Sequence, residues 1–382
     1  MRRTLTIGNL WKAFQSPAVA ASLLKGVAKA AIGYHLGNGY SLKPGKVFCA
    51  LTGCCNLKCV MCPQGNHPGF EGDLRQRSGG SLEDLIKLAA AIAPFRPFVA
   101  VSGGEPFLHP HWREFVREIK RWGMICWIGT NGTMLERDAA DLVEIGVDSI
   151  SVSMDGPRDV HDRIRGVAGT FDLVAKGIRE LTRIRERTGR KKPEITAIFT
   201  ITPHNSTHIP EMVEMVSSLG VDVLRIGHLN FLTREEFESH SRLFQEVFKI
   251  DLDTSWEGFI ASPDAIDSVS VAEAVAKFRD QRNTPLRITF FPNFTPEETQ
   301  QYYTSRRFRS TSFRNACMSA WDTAIVGPEM ELILCPNYVL GSLRQESFER
   351  LWNCEKAVVF RRTLRRMKSF PACSRACCFF YM

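Results

Sequence analysis

The sequence predicts an α/β fold in which six strand-then-helix units curl into an open, partial (β/α)6 barrel, followed by a small β-hairpin and helix segment. Three observations predict it. Short apolar or β-branched runs alternate with segments of helical period between residues 46 and 230. Glycine, cysteine and acidic clusters fall where those runs end, which is where parallel α/β sheets carry their chemistry. The 382 residues are 44% hydrophobic and 24% charged, a globular balance, and no stretch of about 18 apolar residues marks a spanning helix.

In chain order, residues 1–45 stand apart. Leu10, Trp11, Phe14, Val19, Leu23, Leu24 and Val27 recur at helical spacing, with Lys12, Lys25 and Lys29 among them. This segment is either a helix packed on the body or a basic amphipathic helix in peripheral contact with an anionic membrane. After Pro44, strands are expected at Val47–Thr52, Phe98–Ser102, Ile125–Thr130, Ser149–Met154, Ile195–Ile201 and Val223–Gly227. Helices are expected at Leu82–Ile92, Trp112–Trp122, Arg137–Ile145, Phe171–Thr188 and Ile209–Leu219. Right-handed crossovers turn such units into a barrel. Residues 231–312 are expected to be a helical connecting region, with Thr295 capping the helix Pro296–Tyr303. Residues 313–382 hold the last cysteine group.

The charge is uneven. Residues 1–70 contain eight Lys or Arg and no acid, whereas the rest carries 41 of each sign. That basic start lacks interleaved aromatics on a recognisable module, so no nucleic-acid partner is expected. Eleven of twelve cysteines cluster at 49–62 and 317–378, and Arg2 and Arg3 precede no long apolar stretch or small-residue cleavage site. Both features point to a cytoplasmic chain that uses cysteine for metal rather than disulfides.

The first cluster is Leu51-Thr-Gly-Cys-Cys-Asn-Leu-Lys-Cys-Val-Met-Cys-Pro63, with Cys55, Cys59 and Cys62 at C-x3-C-x2-C spacing. Three thiolates on one short loop can hold three corners of a [4Fe–4S] cluster and leave one iron open. Structural zinc normally takes four ligands. Beyond it come Gly103-Gly-Glu-Pro106 at the end of the second strand, Gly129-Thr-Asn-Gly-Thr133 closing the third, Ser151-Val-Ser-Met-Asp-Gly156 closing the fourth, and His161-Asp-Arg-Ile-Arg-Gly166. Alone, most of these are turns. Together and in this order they resemble the radical SAM superfamily over about residues 46–230. The resemblance implies that the open iron binds S-adenosylmethionine. It sets the Gly103 and Gly104 backbone against the methionine amino group, has Glu105 either orient that loop or help bind the amine, and assigns Asn131, Ser153 and Asp155 to the ribose or methionine end. Arg165 becomes the partner of the carboxylate, for which a guanidinium fork is suited.

The last cluster runs Cys317-Met-Ser-Ala-Trp321, a hairpin ending at Cys335, Gly341-Ser-Leu343, Trp352, and Cys373-Ser-Arg-Ala-Cys377-Cys378. It resembles the SPASM/Twitch extension of the same superfamily. That implies an auxiliary [4Fe–4S] cluster on Cys317, Cys335, Cys373 and Cys377, with Cys378 as an alternative fourth ligand and zinc as the competing metal. Cys354 is expected to be an ordinary helix residue. The basic run Arg361, Arg362, Arg365, Arg366 and Lys368 is expected to be a solvated helix face, the alternative being that it holds an acidic substrate.

The resemblance implies an enzyme that cleaves S-adenosylmethionine reductively and abstracts hydrogen from a small-molecule or peptide substrate. The outcome is oxidation or bond formation helped by the auxiliary cluster, or else redox-neutral chemistry around a structural one. A flavodoxin or ferredoxin-type donor is the expected electron source. A binding protein without chemistry would leave Glu105, Ser153, Asp155 and Arg165 without purpose.

Overall fold

The computed structural model describes residues 17–63, 78–252, 254–279, 281 and 286–381. Among them, ten strands form one continuous, unclosed sheet: β1 (Lys46–Thr52), β2 (Phe98–Gly103), β3 (Ile125–Thr130), β4 (Ser149–Ser153), β5 (Glu194–Thr200), β6 (Val223–Gly227), β7 (Arg287–Phe291), β8 (Thr323–Val326), β9 (Glu331–Cys335) and β10 (Tyr338–Ser342). The order is β10-β9-β8-β1-β2-β3-β4-β5-β6-β7. Neighbours from β1 to β7 all run parallel, so their C-terminal ends share one edge.

Side-chain alternation explains the layering. Val47, Cys49, Val99, Val101, Cys126, Ile128, Ile150, Val152, Leu224 and Ile226 are buried in the main core, together with the apolar stripes of the flanking helices. The opposite set, including Phe48, Trp127, Ser153, Ile198, Arg225 and Phe291, stays half-buried. Local chemistry sets the helix starts. Ser81, Thr233 and Thr295 each cap a helix with a capping box, to Asp84, Glu236 and Glu298 respectively.

All six expected strands are present. The structure adds a seventh parallel strand, β7, inside the stretch expected to be helical and turn-rich. Five residues beside Pro292 and opening with Arg287 carry too short a pattern to stand out. The C-terminal hairpin continues the sheet, because β8 pairs parallel with β1 and antiparallel with β9. Met330 in its turn takes φ +64, the left-handed conformation that glycine adopts freely.

Of the N-terminal segment, residues 1–16 lie outside the described residues, Leu10, Trp11 and Phe14 with them. The helix Pro17–Leu36 packs on the body. Tyr34 meets Trp321 edge-on at 4.9 Å, and a methyl on Gly33 would come 2.8 Å from that indole.

The basic run is not uniformly solvated. Arg361 is fully buried, lies 4.4 Å over Trp352, and donates to the carbonyls of Ala320 (2.8 Å), Trp352 (2.9 Å) and Gly39 (3.3 Å) and to Asn353 Oδ1 (3.0 Å). Burial lowers its pKa to about 9, so it stays cationic near neutrality. Helical spacing alone does not distinguish it from its exposed neighbour Arg362.

Glu298 gathers the segment leading to Cys317. Its carboxylate accepts from the Ser310, Thr311 and Ser312 hydroxyls and from the Thr311 and Ser312 amides, at 2.7 to 3.0 Å. Burial alone would raise its pKa, but the serine and backbone donors outweigh that and hold it at about 2. A depressed carboxyl contributes stability that is complete above its unfolded pKa and lost as pH falls toward the folded value. Urea unfolding should therefore show wild-type stability dropping between about pH 5 and pH 3, a drop that Glu298→Gln reduces. At neutral pH the same variant should be less stable by about 1–3 kcal/mol. Arg361→Ala should cost about 3 kcal/mol by the same measurement, since it leaves four buried acceptors short of their donor.

Candidate functional site

The loop 53–63 leaves β1 at the shared C-terminal edge and carries Cys55, Cys59 and Cys62. It is held by backbone on both sides. On one, the Gly104 amide donates to Thr52 O and the Glu105 amide to Cys54 O, both at 2.7 Å. On the other, the Lys58 and Val60 amides donate to Arg165 O (3.1 Å) and Ile164 O (2.9 Å), carbonyls that end the helix Arg158–Arg165. Glycine is required at these contacts. A methyl on Gly104 would sit 2.1 Å from Cys54 O, and one on Gly103, at φ +129, 2.4 Å from Thr52 O. The close approach these glycines allow is to the cysteine loop itself.

Glu105 is buried and accepts from Asn131 N (2.7 Å), Thr130 Oγ1 (2.8 Å) and Phe107 N (3.1 Å). Burial lifts its pKa to about 7 despite these donors. It ties the end of β2 to the end of β3. Asn131 passes the tie on: its Nδ2 donates to Asn56 Oδ1 (2.8 Å) and reaches Cys55 Sγ at 3.9 Å.

Arg165 and Asp155 form a second, buried pair. The guanidinium contacts Asp155 Oδ2 at 2.5 Å and Cys59 Sγ at 3.6 Å. Burial opposes the charge, yet Asp155 and Cys59 raise its pKa on balance. Asp155 Oδ1 accepts from Thr200 N at 3.0 Å, and its amide donates to His161 Nδ1 at 3.1 Å. Burial pushes His161 down to about 4, so it is neutral. Asn205, which no motif marked, bonds both Asp155 O and Thr200 O at 2.9 Å and so fastens β4 to β5. Ser153 ends β4, half-buried opposite Ile198.

The second cysteine group also assembles. Burial raises the pKa of Cys317, Cys335 and Cys373; Cys335 is raised further by Cys373 and Cys317, and Cys373 by Cys317, which places the three thiols near one another. Cys373 Sγ accepts from Phe370 N at 3.3 Å, and Cys317 Sγ lies 3.0 Å from Ser319 Oγ. The turn to Cys377 is pinned by Arg375, which is buried, pairs with Glu236 at 2.8 Å and lies 5.1 Å over Phe231. Cys354 lies elsewhere, capping the helix Glu355–Met367 beside Tyr338 and Arg361. The side chain of Cys378 lies outside the described residues. Among those residues, no three of these groups close on a single-ion site.

Between the two groups lies a cavity of about 250 Å³ at the ends of β5, β6 and β7. Met61 and Pro63, flanking Cys62, line one part of it and Cys377 another. Thr200 and Asn230 line it as well, and beside them Arg225, His228, Tyr302 and Tyr381. Sequence reasoning missed these four, because inward-facing strand positions and aromatic residues look like core.

The thiols fit iron–sulfur clusters chemically. Each group offers at least three sulfurs, with N–H or O–H groups beside the thiols of Cys55, Cys59, Cys317 and Cys373. Gly104→Ala should displace the first loop and lower iron bound after anaerobic reconstitution by about half, with far-UV circular dichroism unchanged. Glu236→Gln should destabilise the chain by about 3 kcal/mol in urea unfolding, because it strands buried Arg375.

Residues 50–216 match the family model of the radical SAM superfamily, and residues 317–378 match SPASM, an iron–sulfur cluster-binding domain. The tungsten-containing aldehyde ferredoxin oxidoreductase cofactor-modifying protein of Pyrococcus furiosus is 30% identical over 194 residues, 50% of this chain and 53% of that protein. Pre-heme d1 synthase of Dinoroseobacter shibae is 30% identical over 187 residues, 48% and 43% of the two chains. The chain thus spans about half the length of the curated relatives it matches. Streptococcus suis SuiB bound to S-adenosylmethionine shares the fold with TM-score 0.61 at 13% identity, over 94% of this chain and 77% of that one. AdoMet-bound anSMEcpe does so with TM-score 0.56 at 16% identity, over 82% of each. The family's cofactors are S-adenosylmethionine and a [4Fe–4S] cluster, joined in the SPASM domain by a further iron–sulfur cluster. With two family models in the order the motifs predict, the chain belongs to the radical SAM superfamily and carries a C-terminal SPASM domain.

Proposed function

We propose that this chain is a radical SAM enzyme that oxidises, or forms a bond in, a substrate held between its two cysteine groups. The observation that carries this reading is the cavity, walled by the first cysteine loop and by Cys377. When bound, the cluster and S-adenosylmethionine supply an electron-driven cleavage to methionine and a 5′-deoxyadenosyl radical that removes a hydrogen atom from substrate.

In this reading Cys55, Cys59 and Cys62 hold the first cluster, and Cys317, Cys335, Cys373 and Cys377 the auxiliary one. Gly103 and Gly104 lock the first loop in place. Glu105 and Asn131 brace it from β3, and Asn131 adds a donor toward Cys55. Asp155 orients Arg165, whose guanidinium donates to Cys59 and keeps N–H groups, the unpartnered Nε among them, for the methionine carboxylate. Ser153, at the end of β4, binds the ribose in this reading. Cys317, Cys335, Cys373 and Cys377 would hold the auxiliary cluster, which would supply an acceptor for the electron left on substrate after hydrogen removal, and Cys377 lines the cavity.

The substrate is a small molecule or a peptide. The relatives include proteins named heme synthases, and SuiB has been solved with precursor peptide SuiA. A flavodoxin or ferredoxin-type protein delivers the electron. The basic, acid-free residues 1–45 give peripheral membrane contact, supported by exposed Ile32 and Leu36 on the packed helix; no helix among the described residues is long and apolar enough to cross a membrane.

Anaerobic reconstitution with a dithionite assay tests this function. The wild type should bind about eight irons and release 5′-deoxyadenosine; Cys55, Cys59 and Cys62 changed together to Ala should leave about four irons and no product. About four irons falling to none would remove the auxiliary cluster and its redox role.

A further inference from the structure

The cavity has one charge on its described wall. Arg225 points from the middle of β6 to the half-buried face of the sheet, between Ile198 of β5 and Thr289 of β7. Its nearest acid, Glu194, is paired with Arg287 at 3.1 Å. Among the described residues Arg225 has no ion-pair or hydrogen-bond partner, and none of them puts a carboxylate on the cavity wall. Burial lowers its pKa, Arg287 adds to that and Glu194 opposes it, yet an arginine remains charged.

A second group points the same way. His228 Nδ1 lies 2.9 Å from the Tyr303 hydroxyl, and the Leu229 backbone amide acts on the same oxygen. With the Tyr303 hydroxyl as donor to Nδ1, the neutral imidazole carries its N–H at Nε2. That buried Nε2 has no partner among the described residues. The wall thus carries one cation, near the unpartnered His228 nitrogen, with the uncharged polar residues Thr200 and Asn230 beside them. The rest of it is largely apolar or aromatic, with Met61, Leu229, Phe259, Phe291, Tyr302 and Tyr381.

We propose that Arg225, aided by His228, anchors a carboxylate of the substrate, so the substrate is a carboxylic acid with an apolar body. This rests on the cavity being the substrate site. The anchor fixes the acid against β6, with the apolar part lying between Met61 and Cys377.

Equilibrium binding to the reconstituted full chain, with S-adenosylmethionine present, tests it using 2-naphthoate and its neutral counterpart 2-naphthamide. The wild type should bind naphthoate about tenfold tighter than naphthamide. Arg225→Gln should abolish that preference by weakening naphthoate alone, and Arg225→Lys should retain part of it. Equal affinities in the wild type, or no binding of either probe, would overturn the proposal. So would an Arg225→Gln variant that weakens S-adenosylmethionine binding and leaves the naphthoate preference intact, since the cation would then serve the cofactor's carboxylate. Should Arg225→Gln not fold, the wild-type ratio and Arg225→Lys decide. Binding needs no turnover, so this readout stands apart from the 5′-deoxyadenosine assay that tests the function itself.

Discussion

Of the apolar side chains in the loop after β1, only Leu57 and Cys59 are buried. Its position comes from four backbone hydrogen bonds, two from the Gly104 and Glu105 amides and two to the last carbonyls of the helix Arg158–Arg165. Backbone contacts of this kind demand glycine, and that demand explains Gly103, Gly104 and Gly166, where a methyl would sit 2.4 Å from Lys58 O. The motifs at the ends of β2 and β4 are therefore parts of one clamp. Side chains then add direction: Asn131 toward Cys55 and Arg165 toward Cys59.

The second cysteine group reaches the same mouth because the C-terminal segment is built into the sheet. Parallel pairing of β8 with β1 fixes the hairpin. Two buried arginines carry the rest. Arg361 joins residues 39, 320, 352 and 353, and Arg375 ties the Cys373–Cys377 turn to Glu236 and Tyr302. Such residues are costly to bury and hold only with every donor matched. Their tight geometry brings Cys377 to a cavity that also touches Met61 and Pro63.

The parallel core and both cysteine groups were legible in the sequence. Strand alternation and helical period are local signals, and C-x3-C-x2-C is a spacing. Tertiary context decided the rest. Arg361 and Arg362 are adjacent and alike in sequence, but only Arg361 meets four buried acceptors. β7 was hidden because five residues beside a proline carry too little pattern. Arg225 and Asn205 matter through what strand packing places near them, and no spacing announces that. Arg165 was expected to face a ligand carboxylate, and the structure shows it already engaged with Asp155 and Cys59.

The central claim is that both cysteine groups carry iron and face one cavity. An iron anomalous map from anaerobically grown crystals of the reconstituted chain tests it most directly. The account predicts density for one cluster against Cys55, Cys59 and Cys62, and for another against Cys317, Cys335, Cys373 and Cys377, with Arg225 in the cavity between them. A single iron site, or zinc at the second, would contradict it.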